Sequence, residues 1–266
     1  MVLGMSAKRK ELDEHLTAWK TVNAPVEHVQ FGGLSDKPLS DTVWLKEAMA
    51  KIRGAYPNAS FSAHAYKVNL AEKTPRVRAV WLEIAREHIL LASQLGLRFL
   101  NFHLGWGSGG TRIKHIAYRE ALLPVIKELA DTGEKLGVDI HVENLYPRPI
   151  HAEQRMLGDR PSDFTRILGA IDSTALKLCY DYGHGNIDEY GKCILRENIM
   201  RLGSVHVHDN DQMNDLHEAL FEGTIDWLSE ISFLDGAGFN GPFILEQNQR
   251  RQALSVHRLR DRGLLL

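Results

Sequence analysis

Imidazoles and carboxylates recur at the ends of apolar runs along this chain. In LKLCYDYGHGN, residues 176–186, an apolar run stops at Asp181 and His184 follows three positions on. The pattern repeats: SFSAHAY carries His64, RFLNFHL carries His103, VDIHVEN carries Glu143, SVHVHD carries His206 and His208, and PFILEQ carries Glu246. A carboxylate that ends a core strand costs several kcal/mol if buried unpaired, and carboxylates brought together repel one another. A divalent cation removes both penalties. A mixed set of carboxylate oxygens and imidazole nitrogens suits Mn²⁺, Zn²⁺, Fe²⁺ or Co²⁺ better than Ca²⁺, with Mg²⁺ also among the expected ions. One His in a strand reads as a hydrogen-bonded core residue; recurrence on successive strands favours a site. His15, His28, His88, His115, His141, His151 and His257 lack that placement and are read as surface or structural residues.

These residues need elements that bring them together. The strand candidates are 1–5, 26–31, 60–66, 98–104, 138–144, 176–181, 204–209 and 242–247, recurring at intervals of roughly 30 residues. Between them, 76–95 shows helical periodicity and stops at Gly96, and 116–136 behaves likewise before Gly137. Segments 187–202 and 224–235 supply further amphipathic helices. Strands alternating with helices in this number imply a closed (β/α)₈ TIM barrel forming a single domain over residues 1–266, with an open doubly wound sheet as the fallback because MVLGM is a poor first strand. In such a barrel the C-terminal strand ends share one mouth, so residues distant in sequence meet in one pocket.

Composition narrows the functional classes. The 266 residues are 44% hydrophobic and 25% charged, ordinary for a globular protein. A net charge of −2 offers no global attraction to nucleic acid or anionic membrane. Cys179 and Cys193 form no CxxC motif, which fits a reducing cytoplasm, and no segment has the apolar length of a signal peptide or membrane span. A cytoplasmic protein is expected. No Walker motif and no nucleophile elbow is present, and GWGSGG at 105–110 lacks the Lys and the following helix start of a phosphate cradle. The GWGSGG stretch at 105–110 reads as a loop over the barrel mouth in which Trp106 could cover a sugar face.

The segments SAHAYKVNL, LGLRFLNFHLG, IHVEN, LCYDYGH, VHVHDN followed by DLH and EGTIDW, and GPFILEQ, from about residue 60 to 248, resemble the xylose-isomerase-like TIM barrels in order and placement. That superfamily includes sugar isomerases and epimerases and the type IV AP endonucleases. The resemblance implies Glu143, Asp181, His206 and Glu246 as metal ligands, with Glu143 and Glu246 doubling as the acid/base pair. SVHVHDN aligns His206 with the family pattern of His, two residues, Asp and Asn; His208, on the same face of a period-2 strand, stays open as the alternative. His64, His103, His184, His208, Asp215 and His217 are implied as substrate contacts. Phe221 departs from the family, whose loop reads Gly-Glu-Gly where this chain has Phe-Glu-Gly, and so calls the pocket's shape into question.

The resemblance points to a metal-dependent isomerase or epimerase of a sugar, a sugar phosphate or a polyol-derived keto sugar, acting by proton transfer through a metal-stabilised enediolate. The alternative is a zinc-dependent, type IV AP endonuclease-like phosphodiesterase, for which every ligand counterpart is present. A nuclease must grip phosphates along a duplex, whereas the loops after the first two strands offer only Lys8, Arg9, Lys10 and Lys37. A non-catalytic metal-sensing or interaction protein would need a damaged ligand set, and this set is intact. The expected partner is a small sugar-type molecule, with no membrane or nucleic acid and with self-association into a homo-oligomer allowed for.

Overall fold

The structure, a computed structural model, describes residues 1–108, 112–147 and 154–265, and for 108 and 112–116 the backbone only. His151, the His115 side chain and the Gly109–Gly110 end of the GWGSGG stretch lie outside the described residues.

Each apolar run becomes a strand: β1 (Val2–Lys8), β2 (His28–Gly32), β3 (Ser60–His64), β4 (Phe99–His103), β6 (Asp139–Glu143), β8 (Leu176–Asp181), β9 (Leu202–Val207) and β10 (Pro242–Leu245). They close as β1-β10-β9-β8-β6-β4-β3-β2 with every pairing parallel, a (β/α)₈ TIM barrel. Closure removes the open-sheet alternative. The strand drawn over residues 1–5 extends to Lys8, so part of the presumed loop after it is strand, and a 3₁₀ turn at Arg9–Glu11 follows. Two short strands that periodicity did not reveal, β5 (Trp106–Ser108) and β7 (Gln154–Met156), pair antiparallel beside the barrel.

Helices α1 (Leu12–Thr21), α2 (Pro38–Ala55), α3 (Pro75–Leu95), α4 (Arg112–Leu136) and α5 (Pro161–Ala170) return the chain between strands. Pro38, Pro75 and Pro161 open their helices where a missing N–H is harmless, and Gly96 ends α3 at φ 66. The amphipathic segment read over 187–202 starts at the last residue of α6 (Tyr182–Ile187) and holds α7 (Gly191–Asn198) and a 3₁₀ turn at Ile199–Arg201, and its last residue, Leu202, already begins β9. The expected helix at 224–235 is α8 (Trp227–Gly236), and α9 (Gln249–Asp261) packs against α1. Outward-facing strand residues such as Val205, Val207, Leu178 and Ile140 are fully buried under this helical layer.

One irregularity positions the site. The β8–β9 ladder shifts register between Leu178 and Cys179, so that Asp181 pairs with His206. An unshifted ladder continuing from Leu178 opposite Leu202 would set Asp181 against Val205, which faces away from the barrel interior. A bulge of this kind re-aims side chains by one position.

Candidate active site

At the mouth, Glu143, Asp181, His206 and Glu246 each present a donor atom within 4.8 Å of the others. His206 Nδ1 lies 3.0 Å from Glu246 Oε2, 3.5 Å from Glu143 Oε1 and 3.8 Å from Asp181 Oδ2, yet neither of its ring nitrogens has an aligned hydrogen-bond partner. Three carboxylates and an orphaned, buried imidazole aimed at one point are what a divalent cation would satisfy. His64, His103 and Glu143 converge in the same way, with His64 Nε2 3.2 Å from both His103 Nε2 and Glu143 Oε2. Asp181, His184 and His208 form a third such group. The two candidates, His206 near the end of β9 and His208 just after it, therefore diverge in surroundings. His206 joins the four-residue set, whereas His208 Nε2 contacts Asp181 Oδ1 at 3.2 Å and its ring stacks on His217 at 3.9 Å. Asp215 lies between His184 and His217, at 3.5 Å from each. All the residues expected as metal ligands or substrate contacts meet here.

The charges interlock. Burial opposes ionisation of Glu143, but His206 and His103 hold its carboxyl well below the usual range. Burial likewise opposes ionisation of Glu246, and His206 outweighs it. Burial disfavours charge on His184, yet Asp181, Asp215 and Glu143 raise it to about 10. His217 is raised to about 9 against burial by its hydrogen bond to Asp215 and the charge of Glu246. His103 is lowered by burial. Protonated imidazoles thus balance the carboxylates in the metal-free protein, which corrects the expectation of bare carboxylate repulsion.

Several supporting residues escaped the sequence reading. Asn101 donates to Glu143 Oε2, and its inward period-2 placement between Phe99 and His103 was the available signal. Asn144 ties β6 to β8 by accepting from Asp181 N at 2.6 Å and donating to Asp181 O at 3.0 Å. Asp209, the carboxylate of the VHVHDN segment, accepts from Trp227 Nε1 at 2.8 Å and Ile225 N at 3.2 Å, so it staples the EGTIDW segment. Gly183 is required by close approach, since a Cβ there would sit 1.8 Å from His208 Cε1. His15, read as surface or structural, is buried against Gln252 and lines the cavity.

A cavity of about 780 Å³ opens over the cluster, its lining including His64, His103, His217 and Glu246 together with Lys8, Gln30 and Lys67. Phe221 does not line it. Its backbone sits at φ 67 and its ring lies under the Arg262 guanidinium, so the departure from Gly bears on backbone strain rather than pocket shape. Nor does Trp106 line it, its ring meeting Trp81 edge-to-face instead. No helix among the described residues is long and apolar enough to cross a membrane.

MJ1311 of Methanocaldococcus jannaschii, an uncharacterized protein, is 26% identical over 196 residues, covering 70% of this chain and 63% of its own length. The chain thus spans less than two thirds of that relative. A D-tagatose 3-epimerase-like protein of known structure superposes with a TM-score of 0.79 at 24% identity, covering 99% of this chain and 97% of its own. L-ribulose 3-epimerase does so with a TM-score of 0.75 at 16% identity, covering 99% and 95%. Sugar epimerases therefore share the fold. The family model described as xylose isomerase-like TIM barrel matches residues 25–262, and with that match the chain belongs to the xylose isomerase-like TIM barrel family.

Proposed function

We propose that this protein, working as one domain, is a divalent-metal-dependent isomerase or epimerase of a carbohydrate. The observation that carries the proposal is the convergence of Glu143, Asp181, His206 and Glu246 within 4.8 Å beneath a large cavity. These four would hold the ion, which when bound polarises a substrate carbonyl and offsets the negative charge that develops beside it. Glu143 and Glu246 approach from β6 and from the residue after β10, different sectors of the mouth. Between them they can take a proton from the carbon beside the carbonyl and return one to it or to its neighbour. Glu246, with 29% of its side chain exposed, faces the cavity, whereas Glu143 is 1% exposed behind His64 and His103. Glu246 is therefore the first acceptor and Glu143 the deeper partner. His64, His103 and His217, which line the cavity, orient substrate hydroxyls, whereas His184, His208 and Asp215, expected as substrate contacts, stand outside its lining and hold the surrounding groups in place.

A second reading has its own support. The His64/His103/Glu143 and Asp181/His184/His208 groups adjoin the four-residue set, as a multi-ion phosphodiesterase of the type IV AP endonuclease kind would require. One experiment separates them. Metal content per chain is measured, and the loaded protein is offered ketoses in D₂O and duplex DNA containing an abasic site. One ion with solvent deuterium on the carbon beside the carbonyl supports the isomerase. Nicking of the DNA with three bound zinc ions, lost in Asp215→Ala/His217→Ala, replaces it with the nuclease.

A further inference from the structure

The cavity wall carries polar groups that proton transfer leaves unused. Lys8 closes β1 and Lys67 follows β3; both line the cavity, and neither ammonium has an ion pair or hydrogen bond among the described residues. Of the other charges there, Arg251 and Glu246 are already engaged. Arg251 donates to Glu218 Oε1 at 2.6 Å and to the Leu216 carbonyl at 2.9 Å, and Glu246 belongs to the carboxylate cluster; Glu11 lies 3.6 Å from His15 Nε2, an imidazole that burial keeps neutral, so Glu11 retains one negative charge against the two ammonium groups. Asn248 caps α9, a helix of 13 residues with no acidic residue in its first turn, and both Asn248 and Arg251 line the wall. The positive end of that helix therefore meets the cavity. Gln30 on β2 is 2% exposed and lines the same cavity, and its Nε2 has no hydrogen-bond partner. An amide donor buried without an acceptor costs free energy that a ligand oxygen would recover.

Size points the same way. At about 780 Å³ the cavity is in the upper part of the range for drug-sized ligands, more room than one monosaccharide ring fills. We propose that the substrate carries an anionic group, a phosphate or a carboxylate, remote from its reacting carbonyl. Lys8, Lys67 and the α9 N-terminus hold that group, and Gln30 donates to an oxygen deeper in the cavity. The proposal rests on the carbohydrate isomerase reading above and names its substrate class.

The test is calorimetric titration of the Mn²⁺-loaded protein with D-fructose, D-fructose 1-phosphate, D-fructose 6-phosphate and 2-keto-D-gluconate. At least one anionic ketose should bind tenfold or more tightly than D-fructose, the phosphate and carboxylate arms deciding between the two anions. In Lys8→Ala/Lys67→Ala that advantage should vanish, with Mn²⁺ content and D-fructose affinity unchanged; both lysines are exposed, so the fold is not at risk. Anionic ketoses that bind no better than D-fructose, or an advantage that survives in the double variant, overturn the proposal. Binding is read as heat, and isomerisation of the same ketoses is assayed separately. An anion preference without isomerisation would sink the isomerase reading and leave the subsite, whereas turnover of neutral ketoses without that preference would do the reverse.

Discussion

Cation affinity at the four-residue set should rise with pH, by about tenfold per unit for as long as His206 stays protonated in the metal-free protein. His206 Nδ1 faces Glu246 at 3.0 Å and Glu143 at 3.5 Å. Burial works against its charge, but Cys179, Glu246 and Glu143 together hold its pKa well above the ordinary value. It is therefore an imidazolium at neutral pH, while Glu143 and Glu246 are already ionised. An ion seated among these groups must take the nitrogen lone pair and so expel one proton. One proton per ion gives a slope of one logarithmic unit per pH unit, about 1.4 kcal/mol, and across two units roughly a hundredfold in Kd. The assay is Mn²⁺ binding by electron paramagnetic resonance at pH 6.5, 7.5 and 8.5, with proton release measured by calorimetry in buffers of different ionisation enthalpy. Glu143→Gln should bind Mn²⁺ at least a hundredfold more weakly, from the loss of an anionic ligand. A Kd independent of pH, or wild-type affinity in Glu143→Gln, refutes the reasoning.

Metal-free protein should lose thermal stability as pH rises from about 6.5 toward 10, while the loaded protein holds its Tm. His184 and His217 are raised to about 10 and about 9, so the folded state binds more protons than the unfolded state across that window and stability falls with pH; a flat Tm in the metal-free form would contradict this. Gly183→Ala should keep the circular dichroism of the barrel but cut activity at least tenfold, because its Cβ would strike the His208 ring; unchanged activity would show that the ring has room to move. Phe221→Ala should be less stable in urea than Phe221→Gly by about 1 kcal/mol, since alanine keeps the cost of positive φ and glycine removes it. Equal stability of the two variants would mean that the backbone there is unstrained.

The fold class and the roster at the mouth are local properties, and local properties are legible in a sequence. Side chains alternate along a strand with period 2, so Phe99, Asn101 and His103 share a face, as do His206 and His208, whatever the strand packs against. Chemistry-bearing residues at the C-terminal ends of apolar runs then imply one shared mouth. Alternation could not say which of His206 and His208 stands level with the carboxylates, because both satisfy the same period. Height in the barrel is set by register between strands, and the shift between Leu178 and Cys179, which brings Asp181 opposite His206, leaves no mark in either strand alone. The same holds for the ends of elements. Lys8 read as loop because Met5–Lys8 mixes apolar and polar residues, yet pairing with β2 carries β1 through it and sets its ammonium on the cavity wall. Asn144 and Gln30 look like ordinary polar residues until β8 and the cavity are placed beside them. The sequence by itself determined which groups reach the mouth, through periodicity within each strand. The tertiary structure decided which of them meet, since that depends on hydrogen bonds between segments far apart in the chain.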